Sequence, residues 1–318
     1  MKVLFYCPDY LGIYKIIEKG IVENTGFEVK TILFNNYKHK NKYKKLLNFV
    51  SKLILNKNLK KKWASEFYAN QIDDLEVFDY VFIISPDHLL STELEYVTSK
   101  AKKSIVYFWD SFKLIDRYER TLPFFDVKFS FEPNDVKKHN MSLLTNFYFD
   151  TIVSNKNSSD AYYIGNFDDR ISTIEKINLL LLKSGLKPDI YIKINPKTKV
   201  KKFSENINFI TSFIPFEENQ QKIKESKIIL DIHKNIQDGL TFRVFEAIGL
   251  NKKLITTNKD IVNYDFYNPN NIFVWDENVT EIPKDFLEKE YKKLSDEIYK
   301  KYSLENWVKT IFNITKIE

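Results

Sequence analysis

Residues 2–7 read KVLFYC, a short apolar run stopped by Pro8. That pattern predicts a buried strand, because proline cannot continue a hydrogen-bonded ladder. Apolar side chains then recur at 13, 16, 17 and 21. This is helical spacing, so residues 13–24 are expected to form a helix that Gly26 ends, and 27–33 the next strand. Further buried strands are expected at 80–84 (YVFII), 104–108 (SIVYF) and 127–131 (VKFSF), with helical stretches between them. Residues 151–160 (TIVSNKNSSD) break the pattern, being polar and without period. The alternation then restarts: strand 161–164, loop 165–170, helix 171–184, strands at 189–194, 207–210 and 227–232, helix 241–249, strand 253–257, and a mostly helical tail over 284–317 carrying Trp307. Strands alternating with helices predict parallel sheets covered on both faces. The expected fold class is therefore α/β, with two Rossmann-like domains in succession.

Length agrees with that division. The chain has 318 residues, enough for two domains of roughly 150. The expected boundaries are 1–152 for the first domain, 160–285 for the second, and 286–318 for C-terminal helices packing back toward the first. Apolar residues make up 43% of the chain, and much of that is Phe and Tyr. The net charge of +6 is modest for this size and does not by itself indicate nucleic acid. Cys7 is the only cysteine, which excludes an intramolecular disulfide and fits a reducing compartment. The N-terminal apolar run is too short for a signal peptide, and no stretch approaches the roughly 18 apolar residues of a spanning helix. A cytoplasmic location is expected.

Candidate chemistry centres on 238–258, DGLTFRVFEAIGLNKKLITTN. A glycine, Gly239, precedes a helix whose first turn offers unpaired backbone N–H groups to an anion such as a diphosphate. Arg243 can add charge-assisted bonds to phosphate, and Glu246 stands where a ribose diol would donate to it. Gly249 is expected to end the helix as a left-handed cap. Without its context, the same stretch reads as an amphipathic helix with two glycine caps.

Asp238 and Glu246 are separated by seven residues and followed by Ala-Ile-Gly and the strand LITT. This resembles the acidic-x7-acidic motif of GT-B-fold glycosyltransferases. The pieces SPD (85–87), YFWDS (107–111), FSFEPND (129–135), YYIGNFDDR (162–170), ILDIH (229–233), GLTFRVFEAIG (239–249) and KLITTN (253–258) make the chain similar to small bacterial members that build lipopolysaccharide, lipooligosaccharide or capsule. The resemblance covers residues 80–270, and the first acid is Asp238, a methylene shorter than the Glu usual there. It implies two Rossmann-like domains facing across a cleft, a C-terminal helix crossing back, and transfer of a sugar from a nucleotide-sugar donor to a hydroxyl of a surface glycan. Donor-binding residues would be Gly165, Asn166, Arg170, His233, Asp238, Gly239, Leu240, Thr241, Arg243 and Glu246, with the aromatic loop 213–216 near the base. Two other readings stay open: a nucleotide-sugar epimerase of the same fold, and a non-catalytic nucleotide-sugar-binding partner protein.

Asp110 ends the strand 104–108 after Trp109; if the reaction inverts at the anomeric carbon it is the first candidate for the base that takes the acceptor proton, and if the reaction retains configuration its role is to position the acceptor or the donor sugar. Asp9 follows as second, with Asp87 and His88 behind it. The alternative for Asp110 is a helix N-cap. There is no Asp-x-Asp, His-x-x-x-His or cysteine pair, so no cofactor and no essential metal are expected, and helix amides and arginines would stabilise the leaving diphosphate. Residues 38–62 hold ten lysines and no acid, with Leu46, Phe49, Val50, Leu53 and Ile54 at helical spacing. This is the pattern of a basic amphipathic helix on an anionic membrane surface, which would make the protein peripheral on the inner face of the plasma membrane. A solvated lysine-rich face and an RNA patch are the other readings. No RNA-binding motif accompanies it, so no nucleic acid partner is expected.

Overall fold

The computed structural model describes residues 1–39, 41–152, 154, 156–196, 203, 206–234 and 236–314. The chain divides into two compact units, one made of Met1–Thr145 with the stretch from Val308 onward, the other of Asn146–Trp307.

In the first unit the chain runs β1 (Lys2–Pro8), α1 (Ile13–Thr25), β2 (Glu28–Phe34), α2 (Lys42–Leu55), α3 (Leu59–Ala69), β3 (Phe78–Ile84), α4 (Ser91–Ser99), β4 (Ala101–Phe108), β5 (Val127–Ser130), α5 (Pro133–His139) and β6 (Ser142–Leu143). Its sheet is parallel, in the order β2-β1-β3-β4-β5-β6. Six of the seven residues of β1 are buried, so both faces of that strand are covered. Leu4, Tyr6, Val81, Ile83, Val106 and Phe108 point into one core. On the other face Phe5 stacks on Phe82 at 5.3 Å. Phe312, from the C-terminal stretch, meets the rings of Phe27 at 5.7 Å, Tyr80 at 5.3 Å and Phe82 at 5.9 Å.

The second unit runs β7 (Ser159–Asn166), α6 (Ile171–Lys183), β8 (Pro188–Lys193), β9 (Ile207–Ile210), α7 (Phe216–Lys224), β10 (Ser226–Asp231), α8 (Phe242–Gly249), β11 (Lys253–Thr256), β12 (Ile272–Val274), α9 (Lys284–Glu288), α10 (Asp296–Lys301) and the start of α11 (Leu304–Ile311), whose residues from Val308 belong to the first unit. Its sheet is also parallel, in the order β12-β11-β10-β7-β8-β9. Helix α6 packs on one face with Ala161 and Tyr163; α7 and α8 pack on the other with Tyr162 and Ile229. Both sheets reverse direction once, between β1 and β3 and between β7 and β10. Open α/β sheets bind ligands at such switch points, outside the carboxyl ends of the strands.

Three expectations change. The single basic helix over 38–62 is two helices, because Asn56 turns left-handed at φ 50° and ends α2; Lys40 lies outside the described residues. The division falls at Thr145 and Asn146 rather than in the polar stretch, of which residues 153 and 155 are outside the described residues. Residues 146–150 pack with the second unit: Tyr148 N–H donates to the Tyr302 carbonyl at 2.9 Å and Lys224 pairs with Asp150 at 2.6 Å. Residues 286–307 belong to that unit as well, so only the stretch from Val308 joins the first. Residues 315–317 of the expected helical tail are outside the described residues.

Gly249 is no left-handed cap. It is the last residue of α8, and the positive φ in this turn belongs to Asn251, at 50°. What requires glycine at 249 is close approach: a Cβ there would lie 2.6 Å from the Tyr148 Cβ and 2.7 Å from the Asp150 carbonyl oxygen.

Candidate functional site

At the β7–β10 switch point of the second unit, the organising residue is Asp231, the fully buried end of β10. Its carboxylate accepts from the Thr241 hydroxyl at 2.7 Å and from the Thr256 hydroxyl at 2.8 Å. Thr241 is the N-cap residue of α8, yet its side chain makes no capping bond. Its hydroxyl is committed to Asp231 instead. The first turn of α8 is therefore anchored at the carboxyl end of the sheet by its N-cap side chain.

Arg243 and Glu246 stand on that helix. Arg243 donates to the Ile164 carbonyl, and its guanidinium lies 5.1 Å from the centre of the Tyr163 ring. Gly165 makes room for that ring, since a Cβ there would come within 2.5 Å of the Tyr163 hydroxyl. Gly165 and Asn166 are thus the end of β7 rather than a loop. Glu246 is buried and accepts from Gln220 Nε2 at 2.8 Å. Burial pushes its carboxyl above the ordinary range, against the bond from Gln220 and the Arg243 charge. The other end of the same amide, Gln220 Oε1, is a buried acceptor with no partner.

Asp238, Gly239 and Leu240 form the approach to α8. The Asp238 carbonyl accepts from Asn258 Nδ2 at 3.2 Å. Leu240 is core, its side chain packed with Val244 and Phe245 and its carbonyl held by Asn146 Nδ2 at 3.1 Å. Any part it takes in donor binding therefore falls to its backbone and not to its side chain.

Arg170 and His233 stand beside this approach: Asn258 Nδ2, which donates to the Asp238 carbonyl, also lies 3.4 Å from His233 Nδ1. They line a cavity of about 470 Å³ with Asp169, Thr257, Lys259 and Trp275. Arg170 is a brace there. It grips Asp168 through two bonds, at 2.9 and 2.7 Å, and donates to the Ile232 carbonyl at 2.7 Å. Burial works against the Asp168 charge, but the bonds from Arg170 outweigh it and hold the carboxyl below its usual range. His233 is fixed by its backbone N–H, which donates to the Thr257 hydroxyl at 2.8 Å. In the aromatic loop, half-exposed Phe213 lies under Lys193 Nζ, 3.2 Å from the ring centre.

In the first unit the loops after β1, β3 and β4 converge at the β1–β3 switch point. Asp9 Oδ1 accepts from the Gly12 N–H at 3.0 Å, so this candidate base closes the turn into α1. Ser85 is buried in the left-handed region, φ 57°, immediately before Pro86. A non-glycine residue held there stores strain, which surrounding structure must over-determine. The Tyr118 hydroxyl meets Ser85 Oγ at 3.2 Å. Next comes Asp87, buried and paired with Arg117 at 2.9 Å, while its carbonyl and that of Leu89 accept from Arg120. Asp87 Oδ1 is a buried acceptor without a partner.

Asp110 is partly buried after β4, and no α-helix follows it, so the helix N-cap alternative fails. Burial, then the charges of Asp110 and Asp87, push the Tyr10 hydroxyl up to about 12. Burial, then Arg117 and Arg120, lower Lys61 to about 8. Burial also lowers His88, whose ring stacks on Phe34 at 4.8 Å. The sequence singled out Asp110, Asp87 and His88. It did not single out Lys61, Arg117 and Arg120, which arrive from α3 and the segment before β5. Among the described residues there is no group of three or more His, Cys, Asp or Glu side chains that could hold a metal ion. No described helix is long and apolar enough to cross a membrane.

No protein-family profile matches the chain, and no curated protein does. Solved structures do. The N-terminal domain of Candida albicans trehalose-6-phosphate phosphatase aligns with a TM-score of 0.58 at 11% identity, over 98% of this chain and 96% of its own. An alpha-glucosyltransferase in complex with UDP-glucose and DNA containing an abasic site aligns at 0.54 and 12%, over 98% and 94%. Another alpha-glucosyltransferase complex, with UDP and mismatched DNA, aligns at 0.51 and 13%, over 81% of each chain. At such identities the likeness establishes the fold: two Rossmann-like α/β domains of the GT-B kind.

Proposed function

We propose that the chain is a glycosyltransferase that moves a sugar from a nucleotide-sugar donor to a hydroxyl of a surface glycan, of the lipopolysaccharide, lipooligosaccharide or capsule type. The donor binds the second unit. Its diphosphate lies against the first turn of α8, with Arg243 swinging from the Ile164 carbonyl to a phosphate oxygen. The ribose diol donates to Glu246 and Gln220. Phe213 offers a face to the base. The acceptor binds the first unit, where Asp110 takes the hydroxyl proton as it attacks the anomeric carbon and the diphosphate leaves. Helix amides and Arg243 meet the developing negative charge.

The observation that carries this reading is the pair formed by Glu246 and Gln220. A buried carboxylate sits beside a buried amide oxygen that lacks a donor. An unpaired buried acceptor costs stability, and a vicinal diol supplies two O–H donors to two such neighbours. The two alpha-glucosyltransferase complexes of this fold hold UDP or UDP-glucose, which makes uridine diphosphate sugars the first donors to test. The surface-glycan acceptor rests on the motifs of residues 80–270.

A thermal-shift screen of nucleotide sugars, followed by calorimetry, tests the site. Glu246→Ala is expected to weaken nucleotide affinity about tenfold or more, the loss of one charge-assisted bond. Asp110→Asn is expected to keep that affinity and lose most of the transfer. Undiminished affinity in the first variant removes Glu246 from the site, and a normal rate in the second removes Asp110 as the base.

A further inference from the structure

Helix α2 is built inside out. Its buried residues are Asn48 and Ser51; Asn48 makes a polar contact to the start of α3 and Ser51 one to the turn before it. Asn48 Oδ1 accepts from the Lys60 N–H at 2.8 Å, and Ser51 Oγ donates to the Lys57 carbonyl at 3.1 Å. The large apolar side chains face water: Phe49 is 63% exposed, Leu53 76% and Ile54 71%, and Tyr43, Leu46, Leu47 and Val50 are exposed as well. At the helical advance of about 100° per residue, those seven positions span an arc of roughly 160°, interrupted only near one edge by Lys42 in the first turn. A solvated surface helix has the opposite arrangement.

We propose that α2 lies in the plane of an anionic lipid surface, with this arc in the acyl boundary and the flanking lysines at the headgroups. Charge selects the occupant. Lys42, Lys45 and Lys52 on α2, and Lys57, Lys60 and Lys62 beyond it, are exposed, and no acid occurs between 38 and 65. Two copies meeting through this face would bring two clusters of like charge together, whereas anionic headgroups neutralise them. Apolar burial supplies the depth and the lysines the preference for anionic lipid. The inference does not rest on the donor site, and each can fail without the other.

The test is co-sedimentation of the full chain with phosphatidylglycerol-containing vesicles and with pure phosphatidylcholine vesicles. Wild type is expected to partition to the anionic vesicles and much more weakly to the neutral ones. The triple variant Leu46→Ser, Phe49→Ser, Leu53→Ser removes exposed side chains only, so it folds; its partition is expected to fall at least about tenfold. Phe49→Trp is expected to shift its fluorescence to the blue on anionic vesicles. No partitioning of wild type, or equal partitioning of the triple variant, overturns the proposal. So does a chain that self-associates in sedimentation without binding vesicles and becomes monomeric in the triple variant, which would make a second copy the occupant.

Discussion

Lys61 shows how much of a site one residue can conceal from its sequence. In KKKW it looks like one more solvated lysine among ten. The fold turns it inward, toward Asp87 and Asp116 but also toward Arg117 and Arg120, and burial with the two guanidiniums brings it to about 8. The consequence for stability follows from linkage. From about pH 8 up to the ordinary lysine value near 10.5, the unfolded chain holds a proton that the folded chain has released. Stability therefore rises with pH across that window, and the full penalty of the buried charge is felt below it. Lys61→Met is expected to stabilise the first unit at pH 7, and the gain should fade as pH approaches 10.5, read by urea denaturation at several pH values. A gain independent of pH would mean that Lys61 is as well solvated as its neighbours. Glu246 was visible for its spacing, but not its partner: Gln220 has no motif of its own, and only the packing of α7 beside α8 gives its amide a role.

Elements were legible wherever burial followed a simple period. The strands within 2–7, 80–84 and 104–108 lie where their apolar runs predict, because parallel strands covered on both faces admit few polar residues. The amphipathic pattern of α2 was legible too. Which face it shows was not, since that depends on what α3 and the sheet leave uncovered. Gly249 makes the same point within α8. Glycine after an apolar helix suggests a left-handed cap, but this one serves a segment about a hundred residues earlier in the chain, and sequence spacing carries no trace of such a neighbour. The obstruction is backbone and Cβ, not the far end of a flexible side chain. Gly249→Ala is therefore expected to destabilise the second unit by about 1–3 kcal/mol, measured by denaturant unfolding. An unchanged midpoint would show that the segment 148–150 yields easily.

For the whole molecule, alternation predicted two α/β units, but the polar stretch 151–160 misplaced their division, because polarity marks solvent exposure and not the point where packing partners change. The chain visits the first unit twice, before Asn146 and again from Val308. Phe312 belongs to the second visit and is 4% exposed. Its ring closes an aromatic cluster with Phe27, Tyr80 and Phe82 beside β1 and β3. Phe312 thus completes an aromatic cluster whose other rings stand at positions 27, 80 and 82, in the first part of the chain. Phe312→Ala leaves a cavity among side chains already fixed by the sheet, at a cost of about 3–5 kcal/mol. Hydrogen exchange locates the loss: amides of β1 and β3 are expected to lose protection while those of β7 and β10 keep theirs, since Phe27, Tyr80 and Phe82 all stand in the first unit. Equal loosening of both sheets would show that the two cores share their stability, and the C-terminal stretch would then be a common brace instead of a missing piece of the first.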